Sequence, residues 1–383
     1  MPEALPPDWD PRSDSVLNAP RRAYDQMREQ CPVARSDYLH WSVFRHADVS
    51  RILHDHQNFS SRASQHISVP NGMDPPDHTA YRAIIEGYFS AERMTAFEPV
   101  CRAIAEELAR TALAGDQTEL MASFAQPFAL RIQCAFMGWP PSLEEPLLDW
   151  STRNNQATLA RDRAALGALA AEFEQLIAGL LTERRAADGP ADDLTTALMN
   201  EQVNGRPLND LEIASILRNW TVGEIGTIAA SVGIIAQFLA DQPSVQRQLR
   251  DDPRLLWQAN DEILRIHGPL VDNRRRTTCP VHLGGKQLDA DQRITINWIA
   301  ANRDPEVFPE PDTFSLARDP SQNLLYGAGI HVCPGAPLAR LELVIVIRTL
   351  LEHSGWLQLR DDDPATLATY PASGYARLPL QLR

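Results

Sequence analysis

Residues 326–342 read YGAGIHVCPGAPLARLE, with Gly327, Gly329, His331 and Cys333 crowded before an apolar run through Leu338, Leu341 and Val344 at helical spacing. Each residue type has a physical use here. Glycine lets the backbone take positive φ and come close to a bulky planar ligand. A cysteine in front of a helix lies at the positive end of the helix dipole, which favours its thiolate. Pro334 reads as the first helical residue, where a missing N–H costs nothing. An isolated cysteine is usually an inert core residue, and it is the neighbours that argue otherwise. An anionic sulfur beside glycines, with a histidine two residues earlier, fits axial ligation of a haem iron by thiolate. Competing chemistries fit worse. A dinucleotide loop wants a third glycine where Val332 stands. A zinc site begun by His331 and Cys333 finds no further cysteine or histidine at ligand spacing. A cysteine nucleophile needs a histidine brought to it by the fold, which a His-x-Cys spacing does not supply.

The elements that must position this loop are mostly helical. The chain has 383 residues, 44% hydrophobic and 22% charged, the balance of an ordinary globular protein. Apolar periodicity predicts amphipathic helices over 91–113 and 162–185 and a long helix over 208–240 with Asn209 as N-cap. The last of these turns nearly all apolar after Trp220. Its uncharged stretch 225–240, between Glu224 and Asp241, is too short to span a bilayer and reads as a buried helix. Strands are expected over 41–44, 281–283 and 293–298, and a loop over 300–320. The expectation is a mainly α single domain covering 1–383, with a small β portion. A net charge of −14 argues against nucleic-acid surfaces and anionic membranes. The first fifteen residues are acidic and proline-rich, without a basic n-region or apolar h-region, so neither a signal peptide nor an anchor is expected. Five widely spaced cysteines with no CxxC pair suit a reducing cytoplasm rather than a disulfide framework.

The segment YGAGIHVCPG at 326–335, followed by Ala339-Arg340-Leu341-Glu342, resembles the haem-binding loop of the cytochrome P450 family, with Tyr326 in place of the family's usual phenylalanine. That resemblance implies a cytochrome P450 fold carrying haem b with Cys333 as the axial thiolate. It extends over most of the chain. Glu262 and Arg265 match the family's Glu-x-x-Arg, and residues 301–314 with Arg318 resemble the meander whose arginine completes a Glu-Arg-Arg cluster. Such a bidentate network would pin the thiolate loop. Residues 74–82, DPPDHTAYR, resemble the early helix in which a histidine and an arginine hold a haem propionate, here His78 and Arg82. Arg275 falls at the next propionate position, with Arg274 the alternative by one residue, and His331 is a further partner for the same carboxylates. Residues 223–228, GEIGTI, align with the family's acid–alcohol motif for proton delivery during oxygen activation. Thr227 takes the alcohol's place, but Gly226 stands where the acid should be and Ile228 replaces the second alcohol. Glu224, three residues before Thr227, has three readings: a substitute acid in the relay, a contact to a substrate carrying a cation or donor, or the partner of an arginine.

The resemblance implies a bacterial-type haem-thiolate monooxygenase that inserts one oxygen atom from dioxygen into a small organic substrate. Its electrons would come from separate carriers, a ferredoxin-type donor and its reductase, docking beside the Cys333 loop where Arg340 suits an acidic partner. A cytoplasmic protein without nucleic-acid or membrane partners is expected. Alternatives are a peroxide-driven or non-hydroxylating haem-thiolate enzyme, a haem-binding protein without turnover, and a cysteine hydrolase without haem. On the substrate side, the connection 61–74 is short by family standards. Its bulky candidates are His66, Ile67, Val69 and Met73, which implies a reduced lid and a relatively open pocket. Residues 270–273 and 371–373 fall where family members contact substrate, with Asp272 and Asn273 either polar contacts or turn residues.

Overall fold

The computed structural model describes residues 8–64, 66–187 and 193–383. Residues 1–7, and with them half of the stretch judged for a leader, lie outside the described residues. The chain forms two compact units. The first comprises Met1–Gln65, Gly72–Asp74 and Asp261–Cys333; the second comprises His66–Asn71, Pro75–Asn260 and Pro334–Arg383.

The first unit is built on a five-stranded sheet. Its strands run in the order Val33–Ser36, His40–Val43, Arg293–Asn297, Asp272–Thr277 and Phe59–Ser60. Ile294 and Ile296 point inward at period two and pack with Val33, Val43, Ile52 and Phe59 in one core cluster. Trp298 and Leu324 close the same cluster, so the segment leading to Cys333 starts from a packed anchor. The expected strand 293–298 ends one residue early because the Asn297 side chain accepts from Ala300 N and starts the short helix Trp298–Ala301. Val281–Leu283 pairs with Lys286–Leu288 across Gly284 and Gly285, at φ 53° and 79°. A two-residue hairpin with both turn positions at positive φ is the reason for two glycines there.

The second unit is a helical pack. Ala91–Ala112 and Arg163–Ala186 form as periodicity dictates, the latter capped by the Asp162 side chain on Ala165 N. The long helix runs Asp210–Asp241. It opens with a capping box in which Asn209 accepts from Glu212 N at 2.9 Å and Glu212 accepts from Asn209 N at 2.9 Å. Among the described residues, length and composition would let two helices cross a bilayer, Arg163–Ala186 and Asp210–Asp241. In the latter, 67% of the most apolar window is buried by the fold itself, as a core helix requires. The C-terminal helix, Ala336–His353, packs on both Ala91–Ala112 and Asp210–Asp241. It starts two residues later than expected: Pro334 lies in a turn, Gly335 is the N-cap, and Pro337 is the proline of the first turn.

Candidate active site

The thiolate loop belongs to the first unit. Gly329, at φ 68°, carries its backbone against helix His46–His54. A Cβ there would come within 2.1 Å of Leu53 O, so no other residue fits. Gly327 N donates to Leu324 O at 2.9 Å and Cys333 N donates back to Tyr326 O at 2.8 Å. Among the described residues Cys333 is the one exposed cysteine; Cys101 and Cys134 are buried.

Beneath the loop lies the expected charge cluster. Arg265, 1% exposed, grips Glu262 with Nε to Oε2 at 2.7 Å and Nη2 to Oε1 at 3.0 Å. Arg318 Nε reaches Glu262 Oε1 at 2.8 Å and spends its remaining donors on the carbonyls of Pro309, Glu310 and Thr313. A residue that sequence reasoning passed over completes the chain of contacts. Arg265 Nη1 holds Asn302 O at 2.8 Å, and Asn302 Oδ1 accepts from Leu324 N at 2.8 Å. Leu324 is the residue on which Gly327 turns, so the cluster reaches the cysteine loop through Asn302.

Strand pleating separates the two candidate arginines. Arg274 is exposed, while Arg275 is 8% exposed. Burial pulls the Arg275 guanidinium down to about 10, opposed by the Asp74 carboxylate. Its Nη1 donates to Arg274 O at 2.8 Å. Asp272 and Asn273 lie in the same strand and are not turn residues. His331 ends the single turn Gly329–His331.

In the second unit, His78 is buried on helix Asp77–Glu86, and Arg82 follows one turn later with its Nε on Glu86 Oε1 at 2.8 Å. On the long helix, Gly223 and Gly226 face open space: a Cβ at either would meet nothing within 4 Å. Thr227 shares that stripe and donates its hydroxyl to Gly223 O at 2.5 Å. The short connection His66–Asn71 is clipped along the same helix. Val69 N donates to Ser215 Oγ at 2.9 Å, Arg218 Nη2 to Ile67 O at 2.6 Å, and Asn219 Nδ2 to Val69 O at 2.9 Å. Val69 is therefore wholly buried, whereas His66 and Ile67, the latter 42% exposed, present side chains outward.

These features fit a flat, metal-centred group with peripheral carboxylates. In the first unit an exposed cysteine offers a soft axial ligand and a buried guanidinium calls for an anion; in the second, taken by itself, two side-chain-free helix positions leave room for a planar face. The cytochrome P450 family model matches residues 153–380. The erythromycin C-12 hydroxylase of Saccharopolyspora erythraea is 32% identical over 351 residues, 88% of this chain and 87% of that protein. The chain belongs to the cytochrome P450 family.

Further P450 relatives agree. The cyclomarin C epoxidase of Salinispora arenicola is 30% identical over 343 residues, covering 85% of this chain and 87% of its own. The solved structure of open cytochrome P450 EryK from S. erythraea overlays with a TM-score of 0.85 at 27% identity, covering 99% of this chain and 98% of that one. This P450 is an oxidoreductase, a monooxygenase of small organic substrates. It works with dioxygen and redox partners, and carries haem b on an axial cysteine thiolate. The cysteine-hydrolase reading is thereby set aside.

The acid of this P450's long helix meets a second acid. Its carboxyl, with Oε1 sealed from solvent, faces the carboxyl of Glu342 on helix Ala336–His353. Burial pushes Glu224 up to about 7 and Glu342 well above the ordinary carboxylate range. Glu342 sits in the Ala339-Arg340-Leu341-Glu342 stretch already quoted for the family, yet nothing in a single sequence says that it meets Glu224.

Proposed function

We propose that Cys333 is the axial thiolate of this P450, and that His78, Arg82, Arg275 and His331 hold the haem carboxylates. The observation that carries this reading is the exposed Cys333 sulfur on a loop pinned through Asn302 and Glu262. The haem supplies oxygen activation when bound. The chain's own residues do the rest. Arg275, buried and cationic, supplies the charge complement for a carboxylate, and Arg82, its Nε engaged by Glu86, offers its remaining donors to another. Thr227 provides a hydroxyl beside the open glycine stripe, and Glu224 one turn earlier is the acid that replenishes its proton. The products are those of hydroxylation or a related oxidation, as in the relatives named as a C-12 hydroxylase and an epoxidase.

Electrons come from a ferredoxin-type donor and its reductase, the protein works in the bacterial cytoplasm, and residues 1–383 act as one domain. The test is electron accounting. Thr227→Ala is expected to keep haem binding while product per electron pair falls at least roughly tenfold, since positioned proton transfer contributes about 10²–10⁴ in rate. Undiminished coupling in Thr227→Ala would overturn the role given to Thr227. A peroxide-driven reaction is the second reading, favoured by Gly226 in the acid's place; turnover with hydrogen peroxide and no reductant would support it.

A further inference from the structure

Glu224 and Glu342 make an unusual pair. They come from the helices Asp210–Asp241 and Ala336–His353, which pack directly on each other. Glu342 is wholly buried. Glu224 Oε1 and both Glu342 carboxyl oxygens are sealed from solvent, and none receives an N–H or hydroxyl donor among the described residues. The third helix against them, Ala91–Ala112, contributes Cys101, also wholly buried. Its thiol is pushed up by burial first and then by Glu342, Glu224 and Glu98, so it is neutral and offers no charge to offset an anion. The charges that act on Cys101 are those of the pair and of Glu98, and the nearby cation Arg102 is held by Glu98 at 2.6 Å.

Two ionised carboxylates are disfavoured in such a site, because three of their four oxygens lack both water and a donor and the two charges repel each other. Two carboxyls with one proton are not: the O–H of one satisfies an oxygen of the other, and the single negative charge is spread over both. We propose that Glu224 and Glu342 are one proton-binding site, in which a single exchangeable proton bridges the two carboxyls at neutral to mildly alkaline pH. Glu342 is then a positioning residue, the partner that lets Glu224 keep a proton inside the core and release it. The upward displacement of Glu224 to about 7, with Glu342 also raised well above the ordinary carboxylate range, agrees with a pair that holds a proton at neutral pH. The catalytic consequence rests on the relay reading of Glu224, while the shared proton itself does not.

Infrared spectroscopy of the haem-loaded protein in H₂O and D₂O reads the proton without turnover. At about pH 8 the wild type should show the carbonyl stretch of a buried neutral carboxylic acid, moved by deuteration, and the band should gain about one further acid as pH falls below 6. Glu224→Gln and Glu342→Gln should each abolish it at about pH 8, although each variant retains one carboxyl, because the glutamine amide donates to the survivor and lets it ionise. A band missing from the wild type, or lost in only one variant, would overturn the proposal. Product per electron pair, measured against pH in Glu342→Gln, separates the two layers. A displaced profile is expected. An unchanged one alongside the lost band would leave the shared proton standing and overturn the relay reading of Glu224.

Discussion

A guanidinium buried at Arg275 needs a counter-charge, whereas one step along the strand Arg274 projects into solvent. Arg275→Ala is therefore expected to loosen haem by a charged hydrogen bond, about 1.5–3 kcal/mol or some tenfold to a hundredfold, and Arg274→Ala by less than threefold. Haem transfer to an acceptor protein measures both. Pro334 matters for a donor it lacks: Pro334→Leu restores an N–H beside the Cys333 sulfur, so the iron reduction potential of the variant should rise in a spectroelectrochemical titration. At this scale the sequence is readable where a residue type is chemically committed. Cys333, the glycines at 327 and 329, and the Glu262–Arg265 spacing declare themselves. Asn302 does not, because a polar side chain in a loop becomes a linchpin only when Arg265 and Leu324, distant in sequence, converge on it. Glu342 hides for the same reason: a glutamate on an amphipathic helix reads as solvated until the helix against it brings Glu224.

The loop and helix elements give further tests. Asn302→Leu keeps side-chain volume but leaves Leu324 N without its acceptor in a buried place, at a cost of about 1–3 kcal/mol. The expected outcome is a larger fraction of reduced, carbon-monoxide-bound protein without the red-shifted Soret band, because the loop holding the sulfur has slackened. The start of the long helix titrates. The Arg206 side chain, then burial acting the other way, then Tyr81 and Asn209, hold Glu212 down at about 2 against an ordinary 4.5. A depressed carboxyl gives stability that is complete above about pH 4.5 and lost as pH falls towards 2. Glu212→Gln should therefore flatten acid unfolding in that window. Long helices were legible from their 3.6-residue period, as Ala91–Ala112, Arg163–Ala186 and Asp210–Asp241 attest. The strand Asp272–Thr277 was not, since its sequence DNRRRT offers almost no apolar alternation; its inward face is Arg275 and Thr277. Helix Ala336–His353 was misjudged at its start because two prolines, Pro334 and Pro337, compete for the first turn, and the structure uses the second.

Across the whole molecule the buried acid pair sets an opposite pH trend. A carboxyl raised from an ordinary 4.5 to about 7 means that the folded chain holds a proton which the unfolded chain has released. Glu224 alone should then lower stability by on the order of 3 kcal/mol as pH rises from about 4.5 to 7, and the proton that the pair retains keeps stability falling above 7. Calorimetry of the haem-loaded protein should show this decline in the wild type and a shallower one in Glu342→Gln; equal slopes would contradict the assignment. Whether residues 1–383 melt as one domain is read from the same scans as a single transition. The central claim is that Cys333 supplies the thiolate, and the reduced, carbon-monoxide-bound absorption spectrum tests it most directly. The wild type should give a strongly red-shifted Soret band that Cys333→Ser lacks while still binding haem. An unshifted band in the wild type, or a red-shifted band surviving in Cys333→Ser, would contradict the account.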